Sequence, residues 1–313
     1  MTSPETSPIE LARQRRQRLA GIGLMCAAVG LFAVLDTTAK YLSVSMAVLQ
    51  IVWARYTGAF VLTLFVSNPI THPALLYTRN LKLQVVRAVL LVASTLLNFL
   101  ALRFMQLDEV LSIIFTFPFI VAIASGPLLG ERLGWRRWSA ICFGFAGVLV
   151  ITRPGFGAVH PAALLSLAAT TCYGIYAVIT RIVSRVDSNQ TSLFYNNAIG
   201  ALIMLPVIPF VWQAPTDWLT ALLLLATGVL GSLGHFCLIA GHRIAPASVL
   251  APFIYTQLIW VVILGYLIFA HVPNGWTIAG ASMVIGSGLY LLYRERQLGK
   301  RTTSEGVVEG PRE

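Results

Sequence analysis

Charged residues are scarce in this sequence. Asp, Glu, Lys and Arg make up 11% of its 313 residues, whereas soluble proteins carry about 25%. Hydrophobic residues make up 57%, and the mean hydropathy is +0.78. A surface this apolar is not stable in water, so lipid must be the solvent for much of the chain. The composition therefore predicts an integral membrane protein.

Sequence motifs for chemistry are also lacking. The four cysteines, Cys26, Cys142, Cys172 and Cys237, lie inside apolar runs and lack the C-x-x-C spacing of redox or metal sites. The nucleotide-binding pattern G-x-x-x-x-G-K-[ST] and the zinc-protease pattern H-E-x-x-H are absent. We therefore predict no catalytic residue, no metal site and no cofactor, and we expect that the protein is not an enzyme.

Apolar runs of the length of one helical crossing recur along the whole chain. Lipid cannot hydrogen-bond a free backbone, so a spanning chain forms helices or a closed barrel. Barrel strands alternate apolar and polar residues over about ten residues, whereas these runs are continuous. We predict ten transmembrane helices, at residues 20–42, 47–67, 82–102, 108–130, 137–152, 162–181, 191–212, 218–240, 246–270 and 276–293.

The formal net charge is +10, because 22 Lys and Arg residues outnumber 12 Asp and Glu residues. The positions of the basic residues predict the orientation of the chain in the membrane. They lie between the apolar runs without interleaved aromatics, so nucleic acid is not an expected partner. Ten spans place 18 cations, Arg87 among them, on the side of the N-terminus and three on the other, with Arg55 inside a span. The positive-inside rule then predicts cytoplasmic tails at 1–18 and 294–313.

An internal repeat is visible when the sequence is shifted by 139 residues, which aligns Val110 with Val249 and Gly126 with Gly265. The boundaries of the fourth and fifth spans then match those of the ninth and tenth. Because five is an odd number, the second half must enter the membrane inverted, which is a recurring plan of transporters. We predict two five-helix repeats, at 19–155 and 158–293.

Four local motifs carry a resemblance to a known family. The motifs are Gly30 to Asp36 followed by Lys40, Gln50 followed by Arg55-Tyr56, Gly130-Glu131-Arg132-Leu133, and Gly144 with Gly147. From Leu19 to Tyr293 the chain resembles the EamA-like branch of the drug/metabolite transporter superfamily. It departs from the family pattern at Leu133, where proline is usual, and at His271, where the second half lacks the Gly-Glu pair.

The resemblance implies a fold, a function and a location. The expected fold is all-α, with ten transmembrane helices in two inverted EamA-type repeats. The expected function is secondary transport by alternating access in the bacterial inner membrane. Members of the family move amino-acid-like compounds, S-adenosylmethionine, riboflavin or metal-chelating metabolites, so an exporter of a metallophore or drug-like compound is the alternative. A coupling ion or counter-substrate stays open, as does the oligomeric state.

Ionisable residues inside spans are candidate functional residues, because charge is costly in lipid. Asp36 and Arg55 lie at similar depths in the first two spans, and a short connection predicts that these spans are antiparallel neighbours. The two side chains then either form a fixed ion pair or serve the substrate, Arg55 by binding a carboxylate and Asp36 by taking up a proton. Lys40, one turn after Asp36, either shares that face or reaches towards the interface.

Aromatic and amide side chains near the middle of the membrane are the other candidates for substrate binding. Tyr255, Gln257 and Trp260 lie in the ninth span, and Tyr173 and Tyr176 lie in the sixth. Rings with a polar tip suit a flat organic ligand, since they add apolar area and one directed hydrogen bond. Packing between helices is the alternative role.

Isolated polar residues complete the candidate set. Asn98, Asn196 and Asn197 are expected to form hydrogen bonds between helices, and Asn98 is also a candidate for substrate binding. His235 is either a similar contact or, with Asp36, a proton-relay candidate.

Small residues four positions apart allow helices to approach closely. Ala140 with Gly144, and Ser282 with Gly286, are predicted to serve such packing.

Two other classes of protein remain to be weighed against a carrier. A membrane enzyme needs clustered catalytic groups, but the spans hold one Asp and one His far apart in depth. A binding or scaffold protein without transport is the second, and ten spans with almost no extramembrane segment disfavour it.

Overall fold

The computed structural model describes residues 8–66, 69, 71–129, 135–152, 161–184, 186–245 and 250–308. The family-like motif Gly130 to Leu133, the predicted outer cation Arg153 and the predicted junction of the two repeats lie outside these residues. Within them the chain forms twelve α-helices, two 3-10 helices and no strand. The α-helices are α1 Pro8–Leu42, α2 Val48–Val66, α3 Leu81–Phe104, α4 Leu107–Ile114, α5 Phe117–Leu129, α6 Trp135–Thr152, α7 Ala162–Val183, α8 Asn189–Met204, α9 Ile208–Val211, α10 Trp218–Ile244, α11 Gln257–Phe269 and α12 Gly275–Val308.

Six apolar helical stretches in the described part of the chain are long enough to cross a membrane. They are Arg15–Leu42, Val48–Val66, Leu81–Phe104, Leu107–Leu128, Ala162–Val183 and Trp218–Ile244. Shorter apolar helices cover Trp138–Ile151 and Phe253–Phe269. The all-α membrane class is therefore confirmed, while the count of ten crossings stays a prediction.

Apolar side chains face outwards as well as inwards. Phe65 is 84% exposed and Phe210 is 88% exposed, whereas Ile51 and Ile113 are fully buried in the centre of the bundle. Exposed apolar patches this extensive are not stable in water, and lipid is the environment that covers them.

Two of the predicted spans are broken helices. Residues 115 and 116 separate α4 from α5, and the Thr116 hydroxyl donates to the carbonyl of Ile113 (2.7 Å). Pro118 follows in the first turn of α5, where a missing N–H costs little. Residues 205–207 separate α8 from α9, and Pro206 lies in this break. The predicted ninth span likewise begins as a 3-10 helix, Ala251–Thr256, before α11.

Helices from the two ends of the sequence pack against each other. Helix α1 lies along α10, α3 along α7 and α6 along α12, while α2 packs against both α8 and α10. Helix α11 packs against α1 and α4. The prediction that α1 and α2 are close neighbours is wrong, because they contact each other little and α10 lies against both. At Gly231 of α10, both Arg55 of α2 and Leu35 of α1 approach the helix.

Glycine allows the closest approach between α6 and α12. A Cβ added to Gly280 would lie 2.5 Å from the carbonyl oxygen of Gly147, and one added to Gly144 would overlap the ring of Phe119. The predicted packing role of Gly144 is therefore confirmed. That of Ser282 and Gly286 is wrong: Ser282 is exposed, and a Cβ at Gly286 would meet nothing within 4 Å.

These two glycines of α12 give a matched stability test. Gly280→Ala is expected to lower the melting temperature of the detergent-purified protein by several degrees, because overpacking typically costs about 1–3 kcal/mol. Gly286→Ala, on the open face of the same helix, should leave the melting temperature unchanged or slightly raised. Equal melting temperatures for the two variants would contradict the described α6–α12 contact.

Candidate functional site

A cavity of about 390 Å³ lies between α2, α8 and α10. It extends from Arg55, midway along α2, to the exposed residues Val66 and Gln190. Most of its lining is apolar. The polar side chains of the lining are Arg55, Tyr56, Thr63, Gln190, Asn196, Asn197, Ser232 and His235.

Arg55 is held at the inner limit of this cavity by its neighbours on α2 and α3. Its Nη1 donates to Thr95 Oγ1 (2.5 Å), which also contacts the Tyr56 hydroxyl (2.9 Å). The guanidinium carbon lies 5.2 Å from the centre of the Tyr56 ring and 5.8 Å from that of Phe99. Gly231 leaves room for the side chain, since a Cβ there would lie 3.2 Å from Nε.

Asp36 has a different partner from the predicted one. The Asn98 side-chain amide donates to Asp36 Oδ1 (3.2 Å), which joins α1 to α3. No ion pair connects Asp36 with Arg55 among the described side chains. The predicted fixed ion pair is therefore wrong: Asp36 acts on Arg55 electrostatically, but its hydrogen bond is with Asn98 of α3.

Lys40 neither snorkels freely nor pairs with Asp36. Its ammonium donates to the carbonyls of Leu102 (2.9 Å) and Met105 (2.5 Å) at the end of α3, and lies 5.5 Å from the centre of the Phe269 ring. These bonds satisfy carbonyls that the helix end leaves unpaired.

A row of aromatic rings continues from the cavity towards α5. Tyr173 stacks on Tyr176 with centroids 5.6 Å apart, and Phe117 lies 5.1 Å from Tyr173. Asn196, which lines the cavity, donates to the Tyr176 hydroxyl (3.1 Å). The structure thus connects the predicted pair Tyr173 and Tyr176 with the Arg55 cavity.

The candidates from the ninth span lie elsewhere. Tyr255 packs edge-on against Phe115 (5.0 Å) and against Gly288 of α12, and its hydroxyl is buried. The Trp260 indole lies over Gly30 of α1 and is 45% exposed. Gln257 is half-buried where the 3-10 helix joins α11. None of the three belongs to the described lining of the Arg55 cavity.

Two further candidates line the cavity wall. The Asn197 amide donates to Thr63 Oγ1 (3.0 Å), so the predicted interhelical hydrogen bond is confirmed for this residue. His235 packs edge-on against Phe32 of α1, with ring centroids 5.1 Å apart.

A polar network around Arg87 was not foreseen from the sequence. Arg87 is 1% exposed, and its Nη2 donates to the carbonyl of Ser192 (2.5 Å) and to Gln84 (2.9 Å). Gln84 in turn donates to Asp187 Oδ2 (2.8 Å). Arg87 is therefore a buried structural cation that joins α3 to α8 rather than a surface charge that sets topology. The spacing of Gln84 and Arg87 on one helix face was the available signal.

Asp187 lies in the connection between α7 and α8, outside the membrane-spanning segments. Partial burial raises the pKa of its carboxyl group, but hydrogen bonds from Thr78, from the Arg79 backbone and from Gln84 outweigh burial and hold the pKa below its usual range. The network requires the ionised carboxylate. We call this end of the bundle, with Asp187, Val66 and Gln190, the Asp187 end.

A pH series tests this network. A carboxyl group with a depressed pKa stabilises the fold above its unfolded pKa and loses that contribution as the pH falls through its folded pKa. Asp187→Asn should therefore lower the melting temperature at neutral pH, and the gap to wild type should close below about pH 4. A gap that is constant with pH would show that the ionised form is not required.

The opposite end, which we call the Lys40 end, is closed by contacts between distant segments. Gln50 exchanges two hydrogen bonds with the backbone of Gln213 (2.8 and 2.9 Å). Asp108, 2% exposed, lies 3.2 Å from His271 Nε2 through its Oδ1, while its Oδ2 is buried without a hydrogen-bond partner. This pair could not be predicted from the sequence, because its two residues lie 163 positions apart.

A bundle of apolar helices around a cavity with a few polar side chains is an architecture that membrane transport proteins use. The chain belongs to the EamA-like transporter family, whose model matches residues 19–153 and again residues 160–294. The resemblance read from the local motifs is thus confirmed. Family and relatives identify a transporter with a small-molecule substrate, not an enzyme.

Relatives with named substrates cover almost the whole chain. An S-adenosylmethionine uptake transporter of Rickettsia conorii is 26% identical over 89% of this chain and 94% of its own length. A riboflavin transporter of Vibrio cholerae is 26% identical over 86% of this chain and 92% of its own length. The pseudopaline exporter CntI of Pseudomonas aeruginosa is 23% identical over 85% and 93%.

A solved crystal structure shares the fold. It superposes with a TM-score of 0.59 and covers 87% of this chain and 98% of its own, at 16% identity. Across the described residues, no group of three or more His, Cys, Asp or Glu side chains is arranged to hold a metal ion.

Proposed function

We propose that this protein is a secondary transporter that moves a small organic metabolite across the bacterial inner membrane by alternating access. The candidate substrates are an amino-acid-like compound, S-adenosylmethionine, riboflavin or a similar metabolite. The observation that carries the proposal is the Arg55 cavity, which places a cation, amides and aromatic rings midway along the bundle. A cavity of this composition suits an organic ligand with a few directed polar groups.

The packing of the helices supports two inverted repeats of five crossings, at 19–155 and 158–293. In this division the counterpart of α1 is α7, that of α2 is α8 and that of α3 is α10. The contact of α1 with α10 therefore corresponds to the contact of α7 with α3. The contact of α2 with α10 becomes that of α8 with α3, and α6 with α12 maps onto itself. Two family-model matches in tandem support the same division.

This two-fold arrangement suits a carrier, because each of two inverted halves can adopt the conformation of the other and so open the centre to the opposite side. The Arg55 cavity reaches exposed residues at the Asp187 end, while the Lys40 end is closed by Gln50 with Gln213 and by Asp108 with His271. The positive-inside rule places the Asp187 end and both termini in the cytoplasm, so we assign this conformation as inward-open.

The test is flux into liposomes that contain the purified protein. Radiolabelled riboflavin, S-adenosylmethionine and a set of amino acids are offered with and without the same unlabelled compound inside, since exchange needs no assumption about the driving ion. Both uptake and efflux are measured, because the names of the relatives include both directions. Protein-free liposomes, and liposomes with heat-denatured protein, are the controls.

Saturable flux of at least one compound above both controls is the expected result. Saturable binding to the purified protein without any flux would contradict a carrier and favour a binding protein. Absence of binding and of flux for every compound would overturn the substrate classes named above.

A further inference from the structure

We infer that the Arg55 cavity accepts an uncharged or anionic metabolite with a largely apolar body and rejects organic cations. This deepens the proposed function and rests on it, because it takes the cavity to be the transport site. It also separates the relatives, since riboflavin is uncharged at neutral pH whereas S-adenosylmethionine carries a sulfonium cation.

The charges in the described lining of the cavity all have one sign. Arg55 contributes a full positive charge and His235 contributes either none or a positive one, and no Asp or Glu is part of the described lining. Arg87 is a second buried cation, one turn from the lining residue Leu91, but its link through Gln84 to Asp187 offsets part of its charge. The field inside an apolar cavity is screened weakly, so these charges act across it.

The nearest carboxylates among the described residues have partners of their own. Asp36 accepts the Asn98 amide, one turn from Thr95 on α3, and acts electrostatically on Arg55 without forming an ion pair with it. Asp187 accepts hydrogen bonds from Thr78, from the Arg79 backbone and from Gln84 at the surface. Neither pairs with Arg55, whose remaining N–H groups stay available to an acceptor on a ligand.

Unpaired polar atoms in the wall show which groups a ligand must bring. The Asn196 side-chain oxygen and the Ser232 hydroxyl are buried without hydrogen-bond partners, and Asn196 is 3% exposed. A buried acceptor without a partner costs about 1–3 kcal/mol, so a ligand with one donor and one acceptor would relieve it. The rest of the wall, with residues such as Leu62, Val229 and Phe236, provides apolar surface.

A first experiment compares two ligands that differ by one methyl group and its charge. S-adenosylhomocysteine is the thioether of S-adenosylmethionine without the sulfonium, and both are tested by thermal stabilisation of the purified protein. The thioether is expected to bind at least about tenfold more tightly, which corresponds to 1.4 kcal/mol. Ser232→Asp, which adds a carboxylate to the wall, should reverse this preference.

A second experiment measures the sign of the electrostatic potential in the Arg55 cavity and needs no substrate. In a background with Cys26, Cys142, Cys172 and Cys237 replaced by alanine, Ser232→Cys reacts with an anionic sulfonatoethyl or a cationic trimethylammonioethyl methanethiosulfonate. The reference is Val44→Cys, which lies 82% exposed in the α1–α2 connection. The ratio of anionic to cationic rate should be at least about fivefold higher at position 232, as a potential of a few kT requires.

Each outcome decides the inference. A higher ratio of anionic to cationic reaction rate at position 232 than at position 44, lost in Arg55→Gln, supports the inference. This holds even when neither adenosyl compound binds. An equal or lower ratio at position 232, or stronger stabilisation by S-adenosylmethionine, overturns it. Failure of all flux with a positive field at position 232 would overturn the proposed function and leave the charge assignment standing.

Discussion

Arg55→Gln is expected to reduce flux of the transported compound by about tenfold or more, because hydrogen bonds from charged groups contribute about 1.5–3 kcal/mol. The physical reason is that Arg55 is the cation of the cavity lining and has no carboxylate partner among the described side chains. Glutamine keeps a donor that can reach Thr95, so the contact between α2 and α3 is expected to survive. Initial rates in proteoliposomes measure the effect.

Two variants separate a role in binding from a role in folding. Arg55→Lys keeps the charge and should retain a substantial part of the flux, and Arg103→Gln, exposed at the end of α3, should retain all of it. The melting temperature of Arg55→Gln should lie close to that of wild type. If flux and melting temperature fall together in every Arg55 variant, the residue serves packing and not the substrate.

His271→Ala is expected to lower the melting temperature of the detergent-purified protein by several degrees. A buried polar group that loses its only neighbouring partner costs about 1–3 kcal/mol, and the His271 side chain is only 25% exposed. The loss arises because the carboxyl group of Asp108, which is 2% exposed, no longer has the imidazole that lies 3.2 Å from its Oδ1. Lys40 and Glu109 also lie near this pair and contribute a background that does not require His271.

A double-mutant cycle isolates the pair. Asp108→Asn together with His271→Ala should recover part of the stability that His271→Ala loses, because the uncompensated buried carboxylate is then absent. His242→Gln, at an exposed histidine of α10, is the matched control and should leave the melting temperature unchanged. Additive effects of the two single changes would show that Asp108 and His271 do not interact.

The helices could be predicted from the sequence, because a continuous apolar run in lipid must form a helix to satisfy its backbone hydrogen bonds. The predicted run at 108–130 is nevertheless two helices, since Pro118 begins a new helix after Thr116. Which helices touch was not readable. A short connection after Leu42 suggested that α1 and α2 pack together, but hydropathy carries no information on the distant helix, α10, that packs against both.

The candidate site was readable in part for the same reason. Charge and aromatic rings inside spans pointed to Arg55, Tyr173 and Tyr176. Tyr176 stacks on Tyr173 and accepts a hydrogen bond from Asn196, which lines the same cavity as Arg55. Trp260 looked equivalent by depth, but depth does not say which side of a helix faces the cavity. Ser232 carried no signal, because a lone hydroxyl in an apolar run is common and its exposure to a cavity depends on tertiary packing.

Alternating access around the Arg55 cavity is the central claim, and one cysteine tests it directly. In the cysteine-free background, Ser232→Cys is labelled with a membrane-impermeant thiol reagent added to the outside of right-side-out or of inside-out vesicles. We predict labelling from both faces, with protection by a transported compound in each orientation. Labelling from the Asp187 end alone, unchanged by any transported compound, would contradict a site that opens to both sides.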